Sequence, residues 1–438
     1  MSKLTKTPLH PAAQPIYLAS SAVTSLSVAL PAGTAYFIGI VLITMMTGQL
    51  VHHQGSLARA ALPSVIQLRW GWHGVERAMA RGKCSVDSLC DRALEGCCEP
   101  LPIAPVRLGE HQRSIHAIDA STIARLRANK KKCALLGKGY CHRAHRAVCA
   151  NIVAALTTVV LVGGVRVGLV RRTRFGASCE EAVAQIFTDL PDSSEKRLFS
   201  VDAGIATREQ FGAATERDAL CGRLRRNGSL RRAPTPPRSG KRGRPPRHGP
   251  VFHPGVKRPE GRPEEDLTSR GEEREVRMRR WRNLHFRAAH RTILDVVRVD
   301  DPAYKRPLLI GTTAQELTTT EIRAAYGHRW PVETNFYVAQ GTCAMEMPRA
   351  WTEKAVARRI SLALLSGSLL KAIAAACEPL PRGPWDLKAV SSAGRLANHL
   401  GLQAAHFVAL ALKGVAPRKY RKITEAKETA DLQLPLAA

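Results

Sequence analysis

Ser114-Ile115-His116-Ala117-Ile118-Asp119-Ala120-Ser121-Thr122 is the stretch from which the fold can be read. Ile115, Ala117 and Ile118 lead up to Asp119 in the pattern of a short strand. Further along, residues 151–170 are rich in Val and Leu and are broken at Gly163-Gly164, a hairpin signal. Residues 179–190 have the periodicity of an amphipathic helix, and Pro191-Asp192-Ser193-Ser194 that of a turn. Leu198-Phe199-Ser200-Val201-Asp202 is then a fourth strand, ending in a second aspartate. Strand, hairpin, helix and strand make an α/β unit with Asp119 and Asp202 at strand ends, where backbone is rigid. A lone aspartate at such a place is ordinarily a turn former or a cap. Neither residue carries a function by itself.

A third acidic position changes that balance. The chain continues to Tyr326-Gly327-His328-Arg329-Trp330-Pro331-Val332-Glu333-Thr334-Asn335-Phe336. Tyr326, Arg329 and Glu333 stand three and four residues apart, so on a helix they share a face. Thr318-Thr319-Thr320-Glu321 reads as the capping box that opens this helix. Pro331 has no N–H to give to the carbonyl of Gly327, so the helix must kink there or restart with Pro331 in its first turn. Cutting and joining DNA backbones commonly takes two divalent ions held by carboxylates. Magnesium prefers such oxygen ligands and keeps some of its waters, so three carboxylates suffice.

The motif Tyr326, two residues, Arg329, three residues, Glu333 resembles the signature of bacterial insertion-sequence transposases of the DDE type. In that family a lysine follows the glutamate after six residues; Gln340 stands there in this chain. Asp202-Ala203-Gly204-Ile205-Ala206-Thr207 also looks like the family's second-aspartate motif. The resemblance spans residues 114–376. It implies a ribonuclease H-like catalytic core with its first strand beside its fourth, a β-rich insertion before the glutamate, and an N-terminal helical domain that binds transposon ends. It implies that Asp119, Asp202 and Glu333 are catalytic and bind two Mg2+ (or Mn2+) ions, with Tyr326, Arg329 and Gln340 on DNA. Two ends must be joined in one event, so it also implies a homodimer on DNA.

Composition points the same way. The 438 residues hold 66 Lys and Arg against 36 Asp and Glu, a formal net charge of +30, which fits a polyanionic partner. The length suggests several domains, divided as 1–108 (helical), 109–215 (first part of the core), 216–305 (basic loop and strand-rich insertion), 306–380 (last part of the core) and 381–438 (a helical tail). Residues 223–248 contain ten Arg or Lys, five prolines and no acid, the composition of a flexible basic loop. Within it, Arg242-Gly243-Arg244-Pro245-Pro246 resembles the core of an AT-hook, whose arginines enter a narrow minor groove. Residues 276–281, 291–299 and 307–311 alternate as strands. Trp281, among arginines, could stack on a displaced base, although an aromatic in a strand is more often half-buried packing.

The cysteine count, 11, is odd and shows no zinc-ribbon spacing, which favours reduced thiols and a cytoplasmic, nucleoid-associated protein. The most apolar run, residues 35–47, is shorter than the roughly 20 residues of a bilayer span and reads as a buried helix, without a membrane partner. Two other readings stay open. One is a decayed transposase acting only as a DNA-binding protein, which Gln340 favours. The other is a basic protein anchored to a membrane by the apolar run.

Overall fold

In a computed structural model of the protein, residues 14–415 are described apart from 29, 66–70, 96–100, 126–134, 142–143, 192, 235–246, 257–258, 260, 271–273, 351, 382–389 and 414. Helices lead: α1 (Gln14–Val28), α2 (Ala32–Met46), α3 (Gln49–His52), α4 (Leu57–Val65), α5 (Gly71–Arg81) and α6 (Val86–Glu95). Strands follow: β1 (Ile103–Pro105), β2 (Arg107–Leu108), β3 (Arg113–Ala124), β4 (Gly137–Cys141), β5 (Arg146–Val162) and β6 (Val165–Gly176). Then come α7 (Cys179–Thr188), β7 (Arg197–Val201), α8 (Arg208–Ala213) and β8 (Asp218–Arg223). After these are β9 (Leu230–Arg231), β10 (Val251–Phe252), β11 (Glu265–Arg270), β12 (Glu275–Leu284), β13 (Leu294–Asp300) and β14 (Leu308–Thr312). The chain closes with α9 (Thr319–Gly327), α10 (Trp330–Gly341), α11 (Glu353–Ala376), α12 (Ala393–Leu402) and α13 (Ala404–Ala411).

The fold is mixed α/β around one large mixed sheet. Its order is β1-β5-β3-β7-β8-β14-β13-β12-β11, with β2 beside β3 and with β4 and β6 beside β5. Strands β5 and β6 are the expected hairpin, turned by Gly163 (φ 55°) and Gly164 (φ 81°). Both angles lie in the left-handed region that a two-residue hairpin turn of this twist requires and that glycine adopts without strain. From β6 the chain crosses through α7, because parallel strands cannot be joined by a tight turn. Ser178 starts α7 by accepting from the Glu181 N–H, an N-cap that satisfies one of the helix's free donors. Strand β7 then pairs parallel to β3, and β8 parallel to β7.

Side chains alternate across β3. Ile115, Ala117 and Ile123 join a large apolar cluster with α10, α11 and the N-terminal helices. Ile118 joins a smaller one with Val183 and Ile186 of α7 on the opposite face. Helix α11 lies at the centre of the large cluster. Ile360, Leu362, Leu364, Leu365, Leu369, Leu370 and Ile373 are all 0% exposed. By length and composition α11 could cross a membrane, but 83% of its apolar window is buried in protein. Helix α2, which contains most of the apolar run, packs against α1, α4, α5 and α11. The burial expected for that run is observed, and the chain is compatible with a soluble protein.

The helices of residues 1–108 share the large cluster with the sheet, and β1 and β2 belong to the sheet itself. The strands expected of an insertion over 216–305 continue the same sheet, because β14 pairs antiparallel with β8 and β13 with β14. A boundary at 305/306 therefore cuts through one sheet. The basic run over 223–248 is not wholly a loop, since Leu224 and Leu230 are buried in the smaller cluster and β9 pairs with β10. Arg242 and Arg244 lie outside the described residues. Of the tail expected over 381–438, the described part holds the helices α12 and α13, and the Thr24 hydroxyl of α1 donates to the Ala411 carbonyl of α13 (2.8 Å).

A buried ion pair ties the far strands to the loop before α9. Arg280 and Asp295 both have side chains at 0% exposure, and an N–O distance of 2.5 Å separates them. Arg280 also donates to the carbonyls of Leu317 (2.6 Å) and Gln315 (2.9 Å). Asp295 accepts from the Asn283 N–H and the Gln315 amide, each at 3.1 Å. Removing one partner leaves an uncompensated buried charge. Asp295→Ala should therefore cost about 3–5 kcal/mol in denaturant unfolding. The double change Arg280→Met/Asp295→Leu should recover most of that loss, and failure to recover it would mean the pair's hydrogen bonds to the loop matter more than its charge.

Candidate active site

Ile118 opposite Val201 is the last rung between β3 and β7. Asp119 and Asp202 are the next residue of each chain segment, so they stand side by side where β7 ends and β3 runs on. Asp119 is in step with Ile115 and Ala117, and Asp202 with Leu198, so both open on the face of the large cluster. Helices α9 and α10 cover that face, α10 against β3 and α9 against β7 and β8.

The capping box at the start of α9 is formed as expected, Thr318 with Glu321. Helix α9 stops at Gly327 and α10 begins at Trp330 with Pro331 in its first turn, so the helix restarts rather than continuing. The restart keeps the signature residues together. The Tyr326 hydroxyl donates to Asp202 Oδ1 (3.3 Å). Arg329 Nη1 donates to Glu333 Oε1 and lies 3.8 Å from Asp119 Oδ2. The Arg329 guanidinium also sits 5.6 Å from the Tyr326 ring centroid. Asp119, Asp202, Tyr326, Arg329 and Glu333 thus meet where β7 ends beside β3. Gln340, about two turns beyond Glu333 on α10, donates from Nε2 to the Ser121 hydroxyl (3.2 Å). Ser121 is two residues past Asp119 on the same face of β3, so Gln340 points toward the site.

The field at this edge is strongly uneven. Burial pushes the Asp119 carboxyl up to about 6, and the neighbouring Glu333 and Asp202 add to the rise against the Ala120 N–H and Arg329. Burial also raises the Tyr326 phenol, with Asp202 in the same sense. Burial opposes the charge of Arg329, but Tyr326, Glu333 and Asp202 outweigh it and hold the guanidinium above its usual range. Arg329 Nε is buried without a hydrogen-bond partner. Among the described residues no three His, Cys, Asp or Glu side chains converge as an ion cage. The Arg329 guanidinium stands between Asp119 and Glu333 instead.

Trp281 does not belong to the site. It is 1% exposed, its ring lies 5.4 Å from that of Phe252, and its indole N–H donates to the Gly261 carbonyl (3.4 Å). No face of the ring is left for a base. Two exposed aromatics lie on α10: Trp330 is 62% and Tyr337 77% exposed. Seven residues apart, they share the helix face that carries Glu333. That spacing is present in the sequence, which does not show which face of the helix is left uncovered. No protein-family model and no curated protein matches this sequence.

The folded Asp119 carboxyl binds its proton more tightly than an unfolded one. Its contribution to stability is therefore full below the unfolded value near 3.9, and is lost as pH rises through about 6. Asp119→Asn should raise the melting temperature at pH 8, by up to about 3 kcal/mol in stability, with the gain vanishing toward pH 4. A difference that stays constant between pH 4 and pH 8 would show that Asp119 is not under this strain.

Proposed function

We propose that this protein is a DNA transposase that cuts DNA ends and joins them to target DNA by phosphoryl transfer. The convergence of Tyr326, Arg329 and Glu333 on Asp119 and Asp202 carries the reading. These five residues come from two strands and two helices far apart in sequence, and a surface ion pair does not require such a meeting. The sheet supports it further. With β3, β5, β6, β7 and β8 as first to fifth strands, the order is third-second-first-fourth-fifth, which suits the ribonuclease H-like core that the resemblance implies. The net charge of +30 suits a DNA partner. The membrane reading loses its support with the enclosure of α2.

The donor chemistry of the site fits hard dications: three carboxylates and no sulfur or imidazole. Asp119, held well above the ordinary carboxylate range by burial and like charges, is a group whose charged form a cation would favour. Asp119, Asp202 and Glu333 would hold two Mg2+ or Mn2+, which supply positive charge at phosphorus and lower the pKa of the attacking oxygen. In the first step a water oxygen attacks phosphorus and the bond to the 3′ oxygen breaks, leaving a 3′ hydroxyl. In the second that hydroxyl attacks a target phosphorus and displaces the target's own 3′ oxygen. Arg329, once cations balance Glu333, would turn its Nη donors to a phosphate oxygen, and Tyr326 orients the Asp202 carboxylate. Trp330 and Tyr337 offer ring faces to unpaired bases beside the cut. Joining two ends at once calls for two copies of the chain.

The strongest alternative is a remnant that binds DNA without cutting it, favoured by Gln340 at the family's lysine position. Cleavage of end DNA in Mg2+ or Mn2+ separates the two. The wild type should cut, and Asp119→Ala, Asp202→Ala and Glu333→Ala should each abolish cutting while leaving DNA binding nearly intact. Cleavage surviving in Asp202→Ala would refute the site.

Gln340→Lys tests the same geometry from the DNA side. A charge-assisted bond to phosphate is worth roughly 1.5–3 kcal/mol at best, so a several-fold tighter grip on cut ends is the expected result at fixed salt. An equal gain on random duplex would show bulk charge alone.

A further inference from the structure

Helix α10 carries Glu333 in its first turn, yet that turn is weakly fastened from within. Pro331 has no N–H to return to the preceding turn. The N-cap position is Arg329, and no side chain caps the helix there. Within the turn the Thr334 hydroxyl donates to the Pro331 carbonyl (3.0 Å), and further fastening comes from outside. Lys371, on α11, donates from Nζ to the Pro331 carbonyl (3.3 Å), to the Thr334 hydroxyl, and to Asn335 Oδ1 (3.2 Å). The three hydrogens of the ammonium match these three acceptors. Asn335 in turn donates from Nδ2 to the Gly168 carbonyl of β6 (2.7 Å). The approach is close enough that a Cβ on Gly168 would lie 3.1 Å from Pro331 Cβ and 3.2 Å from Asn335 Nδ2.

Lys371 makes no ion pair among the described residues, and burial pulls its pKa down to about 8. A methionine of similar length would pack there without the cost of a buried charge. The ammonium therefore weakens the interior around it while fixing one local geometry.

We propose that Lys371 is a positioning residue for the carboxylate site, fixing the first turn of α10, and with it Glu333, against β6. The inference rests on the reading of the site as a metal-dependent one. Lys371 touches no reacting atom in this scheme; it acts through Pro331, Thr334 and Asn335.

The test compares the full-length wild type with Lys371→Met, Lys371→Arg and Thr334→Val. Three quantities are measured: melting temperature, Mn2+ affinity by calorimetry, and amide exchange over residues 330–336. Lys371→Met should melt at or above the wild-type temperature, exchange faster over 330–336, and bind Mn2+ about ten- to a hundredfold more weakly, as when an outer partner of a metal ligand is lost. Lys371→Arg, which keeps the charge, should recover part of the affinity, and Thr334→Val should lose less than Lys371→Met. A Lys371→Met protein with unchanged exchange and Mn2+ affinity within twofold of wild type overturns the proposal. If Lys371→Met does not fold, Thr334→Val decides by the same two measurements. If the wild type neither binds Mn2+ nor cuts DNA, the metal-dependent reading fails, and exchange over 330–336 still decides whether Lys371 holds the turn.

Discussion

The parallel register of β3 on β7 is the constraint from which the site follows. Ile118 opposite Val201 brings Asp119 beside Asp202. Side chains alternate along a strand, so a one-residue slip would send one aspartate to the face occupied by Ile118 and α7. What holds the register is apolar: Ala117 and Leu198 fit one cluster while Ile118, Phe199 and Val201 fit the other. Both faces are buried, so the slip would expose apolar groups and bury polar ones on both sides of the sheet. Two carboxylates can stand together at the end of this pairing because the rungs before them are fixed.

The third carboxylate needs a second constraint, since it arrives on a helix more than a hundred residues later. The loop at 313–317 delivers α9, and two buried arginines grip it. Arg280 holds it from β12 through the carbonyls of Gln315 and Leu317. Arg113, at the start of β3, holds it through Glu316. Arg113 also donates to the carbonyls of Arg197 and Arg217, which precede or begin β7 and β8. The far strands and the near edge of the sheet thus meet at the segment that aims Tyr326. Buried ion pairs seldom add much stability over an apolar packing of equal shape, and their best-attested use is to specify one arrangement. Here the arrangement specified is where α9 starts.

Much of this was legible wherever the signal was local. The turn at Gly163-Gly164, the helix from Cys179 and the capping box at Thr318 each depend on residues within a few positions, and each is formed. The pairing of Asp119 with Asp202 was legible only through the resemblance, which implies a first strand beside the fourth. The pairing of β14 with β8 was not, because antiparallel partners some ninety residues apart leave no mark in either strand. Trp281 was misjudged for a related reason. Alternation shows that one side of β12 is buried but not which side, and its arginine neighbours drew attention to the wrong one. The exposure of Trp330 and Tyr337 is set by which face of α10 packs on β3 and α11, and no local signal carries that. The fastening of that turn by Lys371 could not be read at all, since it joins helices whose packing only the fold determines.

Charge gives the site a further requirement. The chain is strongly basic, yet among the described residues Arg329 is the cation that ion-pairs with Asp119 and Glu333, beside the third carboxylate of Asp202. A phosphodiester drawn in by the protein's overall field would meet net negative charge at the last few ångströms. Arg329 answers only part of this, since its Nη1 is already engaged by Glu333 while its Nε stays buried and unpaired. The raised Asp119 records the same excess from the protein's side. On the proposed reading, such a site would accept a phosphate once cations balance the carboxylates, which would release Arg329 from Glu333 toward the substrate. The restart at Pro331 gives this arginine its place at the junction of two helices, where its guanidinium reaches Tyr326, Asp119 and Glu333 from one position.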